Sequence, residues 1–206
     1  MNLKKKKKKA DWDDIPPSER NVFQRIAAKT DGTVTPGNVV SVAGAATVAS
    51  GLKDIYKGKT SRGVVKVGIG RIGDLIDGTV ADKTGTKGPK GEATDAGIDK
   101  ALMMTALPVL VKKGGLPKYA AGALVVQNVA SAGIAAQAKQ EGVELHPSEA
   151  GKKAVFGQWG AVGLYGLAEV ARRADSPNIA RGLEVAGLAT LAVASALGTK
   201  AVIDYH

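Results

Sequence analysis

The chain has 206 residues, a formal net charge of +10 and a mean hydropathy of −0.03; 44% of its residues are hydrophobic but only 4% aromatic. The length allows one domain or two small ones with a real core. The absence of Cys excludes disulfides, thiolate metal sites and Cys nucleophiles, and the two His (His146 and His206) argue against a zinc site or a Ser-His-Asp triad. The positive charge suits phosphate-bearing partners, whether nucleic acid, nucleotides or anionic lipids. Small residues where aromatics are usual point to closely packed backbones, as in membrane helices.

In chain order, residues 1–17 ("MNLKKKKKKADWDDIPP") read as a basic disordered tail. Beside a membrane such a Lys run gains about 1 kcal/mol per basic residue from anionic lipid. No apolar stretch follows it, so it is not a secretory signal. Residues 18–31 read as an amphipathic interfacial helix, with Val22, Phe23 and Ile26 on one face and Arg20, Arg25 and Lys29 elsewhere.

Residues 32–206 read as a bundle of six transmembrane helices. Residues 32–52 and 119–138 carry no charge, and neither do the shorter runs 154–168 and 185–199, whose flanking charges can snorkel. The expected helices lie near 36–53, 63–81, 93–112, 118–138, 152–172 and 179–203. "KKGGLPK" (112–118) and "ADSPN" (174–178) break the chain between them. The fold class expected is therefore all-α, an integral membrane bundle with an N-terminal juxtamembrane helix.

Charges inside these segments decide between a membrane site and a soluble bundle. Lys66, Arg71, Asp74 and Asp77 fall in the second segment, and Asp95, Asp99 and Lys100 open the third. An ionisable group in a span costs roughly 2.5–3.5 kcal/mol or more, so it normally faces a polar cavity and carries function. Residues three apart (74, 77) and four apart (95, 99) share a helix face. Two antiparallel helices joined by the 82–92 loop would bring four carboxylates together. At ~4 Å each pair repels by roughly 4 kcal/mol at an effective dielectric near 20, so cations or protons must accompany them. Oxygen ligands without His or Cys select Mg²⁺ or Mn²⁺. Two such ions are a standard device for displacement at phosphorus. Gly78 and Gly91 leave room for a bulky ligand, and Lys83, Lys87 and Lys90 can offset phosphate charge.

Gly68-x-Gly70-x2-Gly73 imitates a dinucleotide-binding turn, but "KTGTKGPKGEAT" follows where a second strand is required. "GTKGPKG" lacks the G-K-[ST] of a P-loop. His146 reads as a loop residue.

The acidic stretch resembles the signature of the CDP-alcohol phosphotransferases, D-x2-D-G-x2-A-R-x8-G-x3-D-x3-D. Here it reads Asp74-x2-Asp77-Gly78-x2-Ala81-Asp82-x8-Gly91-x3-Asp95-x3-Asp99, matching seven of eight fixed positions with every spacing intact. "TPGNVVS" (35–41) is similar to the T-P-N-x-I-T that often opens the family's first helix. "GKKAVFGQ" (151–158) resembles the G-K-x-K-T-x-x-Q of phosphatidylglycerophosphate synthases at Gly151, Lys152 and Gln158, with Ala154 and Val155 in place of Lys and Thr.

The resemblance implies transfer of a phosphatidyl group from CDP-diacylglycerol to the hydroxyl of a small alcohol, with release of CMP. It further implies two Mg²⁺ or Mn²⁺ ions held by Asp74, Asp77, Asp95 and Asp99, with Asp99 also the general base. The nucleotide would meet Gly78, Ala81, Gly91, Lys83 and Lys87. Glycerol 3-phosphate is the expected acceptor, followed by inositol phosphate and then serine. Lys152, Lys153 and Lys139 are the acceptor-phosphate candidates. A homodimer in a bacterial inner membrane, its site facing the cytoplasm and with no nucleic-acid partner, completes the expectation. Asp82 departs from the family, which has Arg there. The added negative charge should weaken nucleotide binding unless Lys83 or Lys87 compensates, and it favours as an alternative a membrane protein that keeps the site without turnover. A soluble nucleic-acid binder would leave the aspartates unexplained.

Overall fold

The computed structural model describes residues 9–140 and 148–203, without the side chains of residues 74, 75, 89, 90, 92–96, 138, 139, 202 and 203. Among the described residues there are seven α-helices and no strand: α1 (Val22–Lys29), α2 (Pro36–Tyr56), α3 (Thr60–Thr84), α4 (Pro89–Lys113), α5 (Lys118–Gln140), α6 (Glu149–Arg173) and α7 (Pro177–Ile203). The all-helical expectation holds. The six long helices fall where the charge pattern puts them, each a few residues longer, while α1 is shorter than the 18–31 expected.

Local chemistry sets these ends. Asn21 and Gln24 form a reciprocal capping box on α1. Thr35 Oγ1 accepts the Asn38 N–H at 3.1 Å, and Pro36 occupies the first helical position, where its missing N–H costs nothing. Pro89 and Pro177 open α4 and α7 in the same way. Ser148 caps α6 by accepting the Gly151 N–H at 3.1 Å. The α3–α4 connection thereby shrinks from the expected 82–92 to residues 85–88, because α3 continues to Thr84 and Pro89 already starts α4.

The chain divides into two compact units, Met1–Ala49 with Gly68–Leu102 and Ser50–Val67 with Met103–His206. In the first, α2 and α3 run antiparallel at very close range. A Cβ added at Gly70 would lie 2.6 Å from the Gly44 carbonyl oxygen, an approach that only glycine permits. From Lys9 onward the segment expected to be a tail is packed: Trp12 is buried and the Asp11 N–H donates to the Lys87 carbonyl at 3.0 Å. Residues 1–8 lie outside the described residues, as does His146.

In the second unit α6 and α7 form an antiparallel hairpin. Gly157 faces Ala194 and Gly187 faces the Tyr165 ring, so small residues set the spacing. Leu124, Tyr165, Met103 and Ile55 fill its core. Buried amides pair across α5 and α6, with Gln158 Nε2 donating to Gln127 Oε1 at 2.7 Å and Asn128 Nδ2 to Gln158 Oε1 at 3.3 Å. A buried amide left unpaired would be costly, so this network fixes the register of the two helices.

Among the described residues two helices are long and apolar enough to cross a membrane, Lys118–Gln137 and Pro177–Ala201. Only 22% and 17% of these windows are buried within the protein, the opposite of a soluble core helix. Val126, Val129, Val185, Leu188 and Val193 stand exposed on them, and Val39, Val42, Val65, Ile69, Ile72 and Phe156 are exposed on other helices. Such an apolar exterior calls for lipid or a partner.

Candidate functional site

The first unit carries the acidic motif. Asp77 is buried on α3, and Ser41 of α2 donates its hydroxyl to Asp77 Oδ2 at 2.5 Å. Ser41 is itself 1% exposed, with its Oγ also 3.1 Å from the Gly37 carbonyl. A Cβ at Gly37 would lie 3.2 Å from both the Asp77 carbonyl oxygen and the Ala81 Cβ, so the first turn of α2 fits tightly against the motif. Among the described residues the Asp77 carboxylate has no other hydrogen-bond partner, which leaves Oδ1 for a further ligand.

Asp99 of α4 meets a cation supplied by the chain: Arg71 of α3 donates from Nη1 to Asp99 Oδ1 at 2.5 Å. The side chains of Arg71 and Asp99 are 17% and 20% exposed, so the pair is largely shielded from water. The side chains of Asp74 and Asp95 lie outside the described residues, although both positions are helical. Among the described residues no group of three or more His, Asp or Glu is gathered as a metal site.

The remaining predicted residues divide. Gly78 is exposed, with nothing within 4 Å of an added Cβ. At Gly91 a Cβ would meet Asn38 Oδ1 at 3.3 Å, so this glycine also admits a close neighbour from α2. Asn38 is held in place because its Nδ2 donates to the carbonyls of Gly32 and Thr33 at 3.2 and 2.9 Å. Ala81 packs against Gly37, and Lys83 is exposed. Lys87 donates to Asp82 Oδ1 at 3.0 Å, so the lysine expected to compensate for Asp82 is engaged by Asp82 itself. Lys152 and Lys153 belong to the second unit; both are exposed, and Lys152 Nζ lies 3.8 Å from Glu149 Oε1. The side chains of Lys139 and Lys90 lie outside the described residues.

The connection 85–88 is pinned from the N-terminal side. Gly85 takes φ +62°, accessible to glycine at little cost. Its carbonyl accepts from Gln24 Nε2 at 3.3 Å, and the Thr84 carbonyl accepts from Asn21 Nδ2 at 3.2 Å. The Lys87 N–H donates to Asp11 Oδ2 at 3.1 Å, and Trp12 lies over Gly88. Ser41, Asn38 and this N-terminal strap are the parts that sequence reasoning did not assign to the site. Asn38 and Ser41 lie in the "TPGNVVS" stretch that resembles the family's helix opening, without a role being read from it, and Arg71 was read as a cation gathered with the aspartates but without a partner.

The family model of the CDP-alcohol phosphatidyltransferases matches residues 34–198. The chain belongs to this family. No individual curated protein and no solved structure matches it. The matched range contains the cap at Thr35, the whole acidic motif and Gln158, while the strap and α1 precede it. Membership makes the protein a transferase of phospholipid biosynthesis that takes a phosphatidyl group from a CDP-linked alcohol. Together with the exposed apolar helices, it makes the chain a membrane protein.

Proposed function

We propose that the protein transfers the phosphatidyl group of CDP-diacylglycerol to the hydroxyl of a small polar alcohol, glycerol 3-phosphate first, and releases CMP. The observation that carries this reading is the buried Asp77, held by Ser41 with one carboxylate oxygen uncommitted, inside a motif whose spacing is intact. The motif's side-chain donors are all carboxylate oxygens, which fits a hard divalent ion. Asp74, Asp77, Asp95 and Asp99 would hold the two ions. When bound, Mg²⁺ or Mn²⁺ would neutralise the diphosphate and polarise its phosphorus.

The chain's own residues account for the remaining steps. Ser41 orients Asp77. Asp99 accepts the proton of the acceptor hydroxyl as the new O–P bond forms and the bond to the CMP oxygen breaks. We place helices α2–α7 across the membrane as six spans. α1 would lie on its surface through Val22, Phe23 and Ile26, all exposed, with Gln24 and Ala27 turned inward. The basic N-terminus supports a cytoplasmic face for the site, and a bacterial inner membrane and a homodimer complete the proposal. Lys152, Lys153 and Lys139 are offered as contacts to the acceptor phosphate.

A second reading has its own support. The Asp82–Lys87 pair spends a cation that the nucleotide phosphates would use, which favours a site that binds without turning over. One experiment separates the two. Protein in detergent is given labelled CDP-diacylglycerol, Mg²⁺ and one of glycerol 3-phosphate, inositol phosphate, inositol or serine. CMP release with glycerol 3-phosphate alone supports the first reading in full, and release with another alcohol moves the acceptor. Binding without release from any of them supports the second.

A further inference from the structure

We infer that Arg71 is a tethered counter-cation of the acidic site, holding Asp99 while no divalent ion is there and opposing the ion when it arrives. The inference rests on the metal reading above. Arg71 lies on α3, the helix that carries the first half of the motif, and reaches across to α4, which carries the second. Its Nη1 is 2.5 Å from Asp99 Oδ1, and both side chains are largely withdrawn from solvent.

A guanidinium keeps its charge at any physiological pH, so this positive charge is a permanent part of the site. Carboxylates brought near one another repel when nothing compensates them, and a partly buried charge is compensated far better by a fixed partner than by screening salt. Arg71 supplies that partner from within the chain. An ion ligated by Asp99 must either displace the guanidinium or sit beside a like charge, and both weaken its hold. The arriving diphosphate is anionic and can draw the guanidinium off Asp99 by bidentate pairing. Ions would therefore be held tightly only when the nucleotide is present, which spares the empty site from trapping metal.

A purely structural α3–α4 ion pair predicts the opposite sign when it is removed. Loosening a ligand helix should weaken ion binding or leave it unchanged, whereas removing a competing cation should strengthen it. The test measures Mn²⁺ affinity by electron paramagnetic resonance, and thermal unfolding with and without Mn²⁺, on the full chain in detergent. The proteins are wild type, Arg71→Gln, Arg71→Lys and Asp77→Asn. We expect Arg71→Gln to bind Mn²⁺ about 10-fold more tightly than wild type and Arg71→Lys, which keeps the charge, to stay within about 3-fold of it. We also expect metal-free Arg71→Gln to unfold at a lower temperature than wild type and saturating Mn²⁺ to remove that difference. Should Arg71→Gln not fold without metal, its recovery by Mn²⁺ is the same result read another way. An Arg71→Gln protein that binds Mn²⁺ no more tightly than wild type, or whose instability survives saturating Mn²⁺, overturns the inference while the metal site stands. If the wild type shows no Mn²⁺ binding sensitive to Asp77→Asn, the metal reading itself fails and takes the inference with it.

Discussion

Replacing Gly70 by Ala should damage the site from a distance. Within the first unit an added Cβ at Gly70 would lie 2.6 Å from the Gly44 carbonyl oxygen, 2.7 Å from Val48 Cγ2 and 3.0 Å from the Val48 nitrogen. Ordinary contact begins at 3.4 Å, so α2 must recede by about 0.8 Å, and two of the three obstructing atoms are backbone that cannot rotate away. Overpacking of this kind costs about 1–3 kcal/mol. Ser41 is three residues from Gly44 on the helix that must move, and its 2.5 Å bond to Asp77 would stretch past the ~3.0 Å limit of a good O–H···O bond. Losing that charge-assisted bond adds about 1.5–3 kcal/mol. Against this, Ala gains up to about 1 kcal/mol of helix propensity over Gly. The internal control is Gly68→Ala, two residues away on the same helix, where an added Cβ meets nothing within 4 Å and only the propensity gain remains. At about 2–4 °C per kcal/mol for a chain of this size, thermal unfolding in detergent should place Gly70→Ala several degrees below Gly68→Ala. Equal melting temperatures for the two variants would refute the close α2–α3 approach and, with it, this explanation of how Ser41 reaches Asp77.

Other consequences can be checked in the same preparations. Ser41→Ala leaves the carboxylate in place but removes its orienting donor, so Mn²⁺ affinity should fall 10–100-fold, as for other partners of metal-ligating groups; unchanged affinity would make the 2.5 Å bond incidental. Asp82→Arg removes the carboxylate that pairs with Lys87 and puts a cation in its place, so the nucleotide should bind more tightly by equilibrium titration, and weaker binding would mean that the Asp82–Lys87 pair serves the site. Trp12→Ala should speed amide hydrogen exchange at residues 84–88 while leaving α6 and α7 protected, because Trp12 lies over Gly88. Cys placed at exposed Lys83 and at exposed Lys112 should label from opposite faces of the membrane, whereas labelling from one face would sink the assignment of α4 as a span.

Much of the architecture was legible because its signals are local. Uncharged runs mark four of the long helices, Pro36, Pro89 and Pro177 mark where three of them begin, and Gly115 and Ser176 fall in the breaks. The acidic motif was legible through spacing alone, and it led to the family. Pairings that depend on which helix faces which were not. Ser41 and Asp77 lie 36 positions apart, and a serine in a Gly/Ala/Val-rich helix has many uninformative neighbours in sequence. Arg71 was visible as a misplaced cation, but its partner lies 28 positions on and across a turn. The N-terminal strap was hidden by composition: a Lys run beside Asp, Pro and Ser reads as solvated chain, and one buried Trp reverses that only once Gly88 is known to lie beneath it. The modest hydropathy had the same root. Small residues and glycines lower the average while leaving the exposed Val, Ile and Leu that form the apolar exterior.

The proposal that Asp99 is the base of a metal-assisted phosphatidyl transfer is tested most directly by the rate of CMP release from CDP-diacylglycerol. Wild type, Asp77→Asn and Asp99→Asn are compared at saturating Mg²⁺ with the acceptor that wild type uses, alongside Mg²⁺-dependent binding of CDP-diacylglycerol. Asp77→Asn should abolish binding and turnover together. Asp99→Asn should lose about 10²–10⁴-fold in rate, the usual contribution of a positioned base, while binding survives. Normal turnover by Asp99→Asn, or Mg²⁺-independent release by the wild type, would contradict it.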